Sequence, residues 1–221
     1  MVTSIPRGGL RLFATVLLLL GMGAGALQAA TITLSDGSFE ASPVGQGSFA
    51  KFKGGTEHWT PAGGERAVEI WSTGFFGVEA AHGDTFMELN ANTRGTVYQE
   101  IGTIAAGQVL DFSFAHRGRN GPDEMAFVLD IRDANGDVIE KMFSEIYTAK
   151  KGAWTRVSGR SAAAGQSGTV RLSFVSQTPG SSANFVDNVH VETSAIPLPA
   201  GVVLLGTGLA ALVVARRRRM A

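Results

Sequence analysis

Three groups of side chains in this chain have types and spacings suited to chemistry. The first is aromatic: Trp71, Phe75 and Phe76 are punctuated by Gly74 and Gly77 in what reads as a loop. Large rings on such a loop either stand out, where they stack on a flat ligand face such as that of a sugar ring, or fold back as a lid over one end of the domain. The second group is polar. Glu88 and Asn90 alternate with Met87 and Leu89, while Arg117 and Arg119 continue the row of Asp111 and Ser113 opposite Phe112 and Phe114. Bidentate donors and acceptors on a rigid sheet can fix sugar hydroxyls; the alternative is a row of cross-strand ion pairs that keeps one sheet face soluble. Asp130 and Arg132 extend that row if the next strand returns through a turn at Asn120-Gly-Pro122.

The third group is a pair of carboxylates near the two ends of the domain. In Asn184 to Glu192 (NFVDNVHVE), period two places Asp187 on one face with Phe185, Val189 and Val191. A carboxylate on a buried apolar face requires a partner, whether a metal, an arginine such as Arg171 or backbone amides. Glu40 lies in the segment DGSFE close to the start of the fold. If the first and last strands pair, the two carboxylates meet, and calcium, a hard cation bound by oxygen, suits such a site.

Other chemistries lack support. Cysteine is absent, which removes thiol catalysis and thiolate metal sites. The histidines His58, His82, His116 and His190 have no metal-ligand spacing, and no Gly-x-Ser-x-Gly elbow or phosphate loop is present. Asp133-Ala-Asn-Gly-Asp137 mimics the start of a calcium loop but has Ser144 where the twelfth-position glutamate belongs; Asn135-Gly136 is an ordinary hairpin signal. All 19 acidic residues fall between Asp36 and Glu192, against 13 basic ones in that stretch, a net charge of −6 that argues against nucleic acid as a partner. The chain reads as a binding or structural protein, with no catalytic residues.

The elements that must position these groups are strands. Short segments recur between Gly, Asn, Asp and Pro clusters: Thr31 to Leu34, Ala67 to Trp71, Thr85 to Asn90, Thr96 to Ile101 and Val109 to Ala115, then Met125 to Arg132, Val138 to Ser144, Trp154 to Arg160, Thr169 to Ser176 and Asn184 to Glu192. Leu110, Phe112 and Phe114 share one face, as do Phe127, Leu129 and Ile131, and Val170, Leu172 and Phe174. This predicts an all-β domain over residues 31–195, a jelly-roll sandwich of two antiparallel sheets.

The two ends carry addresses. Arg7 and Arg11 precede the apolar run Leu12 to Leu20, and small residues follow to Ala29 and Ala30, the pattern of a secretory signal peptide over 1–30. At the other end, residues 196–221 comprise Ile196, Pro197, Leu198, Pro199 and Ala200, an uncharged stretch to Ala215, and Arg216, Arg217, Arg218 and Arg219. From Ile196 the apolar stretch reaches the roughly 20 residues a transmembrane helix needs, and the arginines would stay on the cytoplasmic side.

Two resemblances follow from these residues. The tail IPLPAGVVLLGTGLAALVVARRRR resembles the PEP-CTERM sorting signals of the Val-Pro-Leu-Pro-Ala type, with Ile196 in place of the first valine. That resemblance implies cleavage near the proline motif by a membrane-embedded exosortase, an inner-membrane intermediate, and delivery to the surface or the exopolysaccharide matrix of a Gram-negative bacterium. The GSFE and NFVDNVHV segments are similar to the ends of galactose-binding-like β-sandwiches, the fold of many carbohydrate-binding modules. This second resemblance implies carbohydrate binding without catalysis, and a structural calcium held by Glu40 and Asp187. A purely structural matrix protein is the rival reading, to be preferred if Trp71, Phe75 and Phe76 are all buried and ion pairs cover the Arg117 face. A surface hydrolase would need two carboxylates converging in a cleft.

Overall fold

The computed structural model describes residues 31–64 and 66–194; the expected signal peptide and the sorting segment from Ile196 onward lie outside the described residues. The strands are β1 (Thr31–Ile32), β2 (Phe49–Lys53), β3 (Thr60–Ala62), β4 (Ala67–Ser72), β5 (Thr85–Glu88), β6 (Thr96–Ile104), β7 (Val109–Gly118), β8 (Asp123–Arg132), β9 (Val138–Ala149), β10 (Thr155–Arg160), β11 (Gly168–Ser176) and β12 (Asn184–Ser194). They form two sheets. The first runs β1-β6-β11-β8-β9 with β3 also on β6, and the second runs β10-β7-β12-β5-β4-β2. Every strand pair is antiparallel. No helix among the described residues is long and apolar enough to cross a membrane.

The alternating sequence pattern becomes the core between these sheets. From the second sheet Phe112 and Phe114 point inward to meet Phe127 of the first, with ring centroids 4.6 and 5.0 Å apart, and Phe114 also meets Phe174 at 5.4 Å. Phe39 and Trp59, both fully buried, close one end of the layer. Each such side chain contributes about 1.5–3 kcal/mol through the apolar surface it removes from water. His116 follows the inward face of β7, as its alternation predicts; it is buried and bonded to Asn184 Oδ1 at 2.8 Å, and burial lowers its pKa.

Three sequence expectations are corrected by the topology. First, β1 and β12 belong to different sheets and do not pair, so Glu40 and Asp187 cannot meet through strand pairing. Second, β7 and β8 form no hairpin, because the turn at Asn120-Gly-Pro122 carries the chain from the second sheet to the first. Asp130 and Arg132 therefore sit on the outer face of the other sheet, where Arg132 Nε donates to Asp130 Oδ1 at 2.8 Å. Third, the β12–β7 register shifts between Asp187 and His190. A bulge there, with Asn188 at φ 51°, leaves Phe185 and Asp187 facing outward and returns Val189 and Val191 to the core. The Asn135-Gly136 hairpin forms between β8 and β9 as expected, with Asp133 Oδ1 accepting the amides of Asn135 and Asp137 at 2.8 and 3.0 Å.

The outer face of the second sheet is itself apolar. Trp71, Val78, Phe86 and Phe185 form a second buried cluster there, with Phe75, Ala80 and Trp154 packed against it.

Candidate functional site

What covers that cluster is the connection between β4 and β5, residues 73–84. Gly74 and Gly77 hold φ of 82° and 72°, which lets the chain make a single 3-10 turn at Phe75–Gly77. The turn is tied by Gly74 N–H to Val78 O at 2.8 Å, and the loop's base by Thr73 N–H to Asp84 O at 2.7 Å. Its far side is pinned by the two carboxylates. Glu40 Oε1 accepts the amides of Asp84 and Thr85, both at 2.8 Å, and Asp187 Oδ2 accepts those of Ala81 and His82 at 2.7 and 2.8 Å. Glu40 and Asp187 thus come to the same short stretch of chain by anchoring it from two sides.

The turn determines which aromatic rings are displayed. Trp71 is only 2% exposed, set against Phe75 and Phe185 with ring centroids at 4.6 and 5.0 Å. Phe75 is half-buried between Trp71 and Phe49. Phe76, by contrast, is 80% exposed and sits in the left-handed region at φ 49° and ψ 28°. A non-glycine residue held there costs roughly 1–2 kcal/mol, so the fold maintains an unfavourable backbone to present this ring.

Beside the rings lies a line of charge. Trp71 Nε1 donates to Glu69 Oε1 at 2.7 Å, and the Arg119 guanidinium stands 4.6 Å from the Trp71 ring centroid. Arg119 Nη1 donates to both oxygens of Glu88, at 2.7 Å to Oε1. Glu88 is fully buried, and this burial pushes its carboxyl up to about 8; the Arg119 hydrogen bond opposes the rise and the charge of Glu69, its neighbour across the β4–β5 register, adds to it. Arg117, opposite Phe185 in the β7–β12 register, has a buried Nε without any hydrogen-bond partner.

Trp71, Phe76, Arg117 and Arg119 line one cavity of about 290 Å³, together with Val78, Asn120, Lys151 and Phe185. That volume is near the lower end of small-ligand sites. Glu88 and Asn90 do not reach the cavity. Both are fully buried: Glu88 is occupied by Arg119 and the Ala183 amide, and Asn90 Nδ2 by the carbonyls of Thr178 and Gly180 at 3.0 and 2.9 Å. Their polar sides do point away from the core, as alternation predicts, but other chain covers them. Lys151 and Asn120 carry no local sequence signal for this role. Lys151 arrives through Gly118, whose N–H bonds Lys150 O at 3.1 Å; a Cβ at Gly118 would overlap the carbonyl oxygens of Gly121 and Ala149.

Among solved structures, the module TmCBM61, in complex with β-1,4-galactotriose, superposes with a TM-score of 0.51 at 16% identity, over 74% of this chain and 99% of that one. The fold is a jelly roll like that of carbohydrate-binding modules. A cyclase from Fischerella sp. TAU, in complex with 4-(1H-indol-3-yl)butan-2-one, shares the jelly roll with a TM-score of 0.57 at 11% identity, covering 77% of this chain and all of that one (100%). The CBM22-1 xylan-binding domain of Paenibacillus barcinonensis Xyn10C aligns over 68% of this chain and 96% of its own at 18% identity, with a TM-score of 0.48. No family model and no curated protein sequence matches the chain. The jelly roll hosts both binding and catalysis, so function here has to be argued from the site.

Two other depressions on the domain are larger, about 420 and 360 Å³. Each has an ion pair at its edge, Asp111 with Arg160 at 2.6 Å beside the first and Glu100 with Arg171 at 2.6 Å beside the second. Neither presents an exposed ring comparable to Phe76. Amide N–H groups occupy Glu40 Oε1 and both Asp187 oxygens, Asn188 donating to Oδ1 at 2.6 Å, so the two carboxylates serve as anchors for the chain in this structure. Among the described residues no group of three or more His, Cys, Asp or Glu could hold a metal.

Proposed function

We propose that the jelly roll of residues 31–194 binds carbohydrate without catalysis, at the cavity over Trp71. One observation carries this reading: the exposed Phe76 ring and two arginines converge on a single cavity roofed by a strained turn. A sugar ring has an apolar face for Phe76 and hydroxyls for the arginines. The galactotriose held by the similar module TmCBM61 supports the ligand class. A purely structural role would favour a closed face, whereas Arg117 and Lys151 take part in none of the ion pairs among the described residues.

Phe76→Ala is the cleanest test, since the ring is 80% exposed and meets the domain only through the neighbouring Phe75 and Trp71 rings among the described aromatic contacts. In affinity electrophoresis against a panel of polysaccharides, the full chain is expected to lose roughly tenfold in affinity, about 1.4 kcal/mol, with an unchanged melting temperature. Unchanged retention on every polysaccharide bound by the parent protein would sink the reading. Trp71→Ala is less informative, because removing a buried tryptophan costs about 3–5 kcal/mol of stability by itself.

The address belongs to the same proposal. Export through residues 1–30, transient anchoring by 196–221 and exosortase cleavage near Ile196 to Ala200 would deliver the module to the outer surface or exopolysaccharide matrix of a Gram-negative cell. Mass spectrometry of the surface fraction tests it, since a mature form still ending in Arg216 to Arg219 contradicts release. Calcium at Glu40 and Asp187 is a separate proposal, in which the ion has to displace amide donors. A fall in melting temperature on chelation supports it, and no shift assigns both carboxylates to anchoring the loop.

A further inference from the structure

We infer that the sugar unit taken by this cavity is acidic, carrying a carboxylate, and this rests on the carbohydrate reading above. The charges around the cavity are unbalanced in one direction. Arg119 is matched by Glu88, which engages it through both oxygens. Glu69 is turned to Trp71 Nε1 and Lys51, and Asp123 Oδ2 accepts the Arg119 amide at 2.7 Å. Glu79 is bonded to Thr73 Oγ1 at 2.6 Å. Neither Arg117 nor Lys151, both of which line the cavity, takes part in an ion pair among the described residues.

Arg117 is the decisive group. Among the described residues its buried Nε has no acceptor and its side chain forms no ion pair. Arg171 has an orphaned Nε as well, but its guanidinium is engaged by Glu100 at 2.6 Å and lies over Tyr98. Arg117 therefore brings to the cavity a guanidinium that no acceptor among the described residues engages. A planar carboxylate matches the guanidinium fork with two parallel hydrogen bonds, which a hydroxyl cannot do. Lys151 adds a second positive charge at the same opening, in a domain whose net charge is −6. That overall charge repels polyanions at long range, so binding an acidic glycan depends on these two local cations. Phe76 fits the same ligand, since the ring of a uronate keeps an apolar face while its carboxylate lies at the rim.

The test compares the full chain in mild detergent on three polymers: polygalacturonate, a neutral β-1,4-galactan, and dextran sulfate as a polyanion without carboxylates. Polygalacturonate is expected to bind most tightly, with affinity falling as NaCl rises. Arg117→Ala and Lys151→Ala should each weaken that binding by roughly tenfold while leaving the thermal melt unchanged. Because both variants keep Arg216 to Arg219, attraction of the polymer to the tail cannot imitate the loss. Equal or tighter binding of galactan, unaffected by the two substitutions, overturns the acidic assignment and leaves the carbohydrate reading standing. Equal binding of dextran sulfate overturns it too, because the site then selects charge alone. Binding to none of a wide polysaccharide panel removes both readings.

Discussion

Arg119 acts in two directions at once: its guanidinium covers the face of Trp71 and holds the buried Glu88 carboxyl. Glu88 has one other donor, the Ala183 amide at 3.1 Å. Arg119→Ala therefore removes the main partner of a group that water does not reach, and it uncovers the tryptophan. The expected loss in denaturant-induced unfolding is about 2–3 kcal/mol. Arg119→Lys should recover only part of this, since one ammonium cannot match both the carboxyl and the ring face. A loss below about 0.5 kcal/mol, the level of an exposed pair, would mean that the contact contributes like a surface ion pair. Alternation shows that Glu88 and Arg119 lie on outward faces, but sequence cannot show that the Ala183 amide meets Glu88 or that the two side chains touch across three strands. Treating Glu88 as a ligand-binding group therefore fails for a physical reason: facing away from the core is not the same as being exposed, and a second apolar cluster sits on that face.

The loop between β4 and β5 makes the site, and distant elements hold the loop. Asp187 of β12 accepts three amides, from Ala81, His82 and Asn188. Asp187→Ala leaves these donors unpaired at a partly buried position, so the expected cost is at least about 2 kcal/mol. Amide hydrogen exchange at Ala81 and His82 should speed up in step, and polysaccharide affinity should fall although Asp187 does not line the cavity. Unchanged exchange at those two amides would show that the loop is held by other contacts. The need of Asp187 for a partner was legible in NFVDNVHVE, and backbone amides were among the alternatives. Its true face was not, because strict period two assumes a regular ladder and the bulge at Asn188 adds one residue. The chain's crossing between sheets at 119–122 was hidden for a similar reason: Asn-Gly-Pro marks a turn but does not say whether the next strand pairs with the last. Strands β2 and β3 went unseen because neither buries a regular apolar face; β2 is half-buried on alternate residues, and β3 is three residues long.

At the level of the whole molecule, stability against pH reports the state of the site. Burial raises Glu88 from 4.5 to about 8 and Asp187 from 3.8 to about 6, with Asp36 shifted in the same direction. A group that holds its proton more tightly when folded contributes stability that is complete below its unfolded value and lost as pH rises through its folded value. His116 works in reverse. Burial lowers its pKa from 6.5, so the unfolded chain takes up the extra proton first and stability falls as pH drops below that value. Asp111 is lowered by the Arg160 hydrogen bond and Asp133 by the Asp137 amide, so both act only in acid. Between pH 4.5 and 6.5 His116 offsets only part of the fall that the two carboxyls cause. From pH 6.5 to about 8 Glu88 dominates, and stability should fall by at most about 1.4 kcal/mol per pH unit. Urea unfolding at fixed pH values measures this directly. Glu88→Gln, neutral throughout, should flatten that limb while leaving the acid side unchanged. If the variant falls as steeply as the parent over this range, the proton belongs to another group and Arg119 already holds Glu88 ionised at neutral pH.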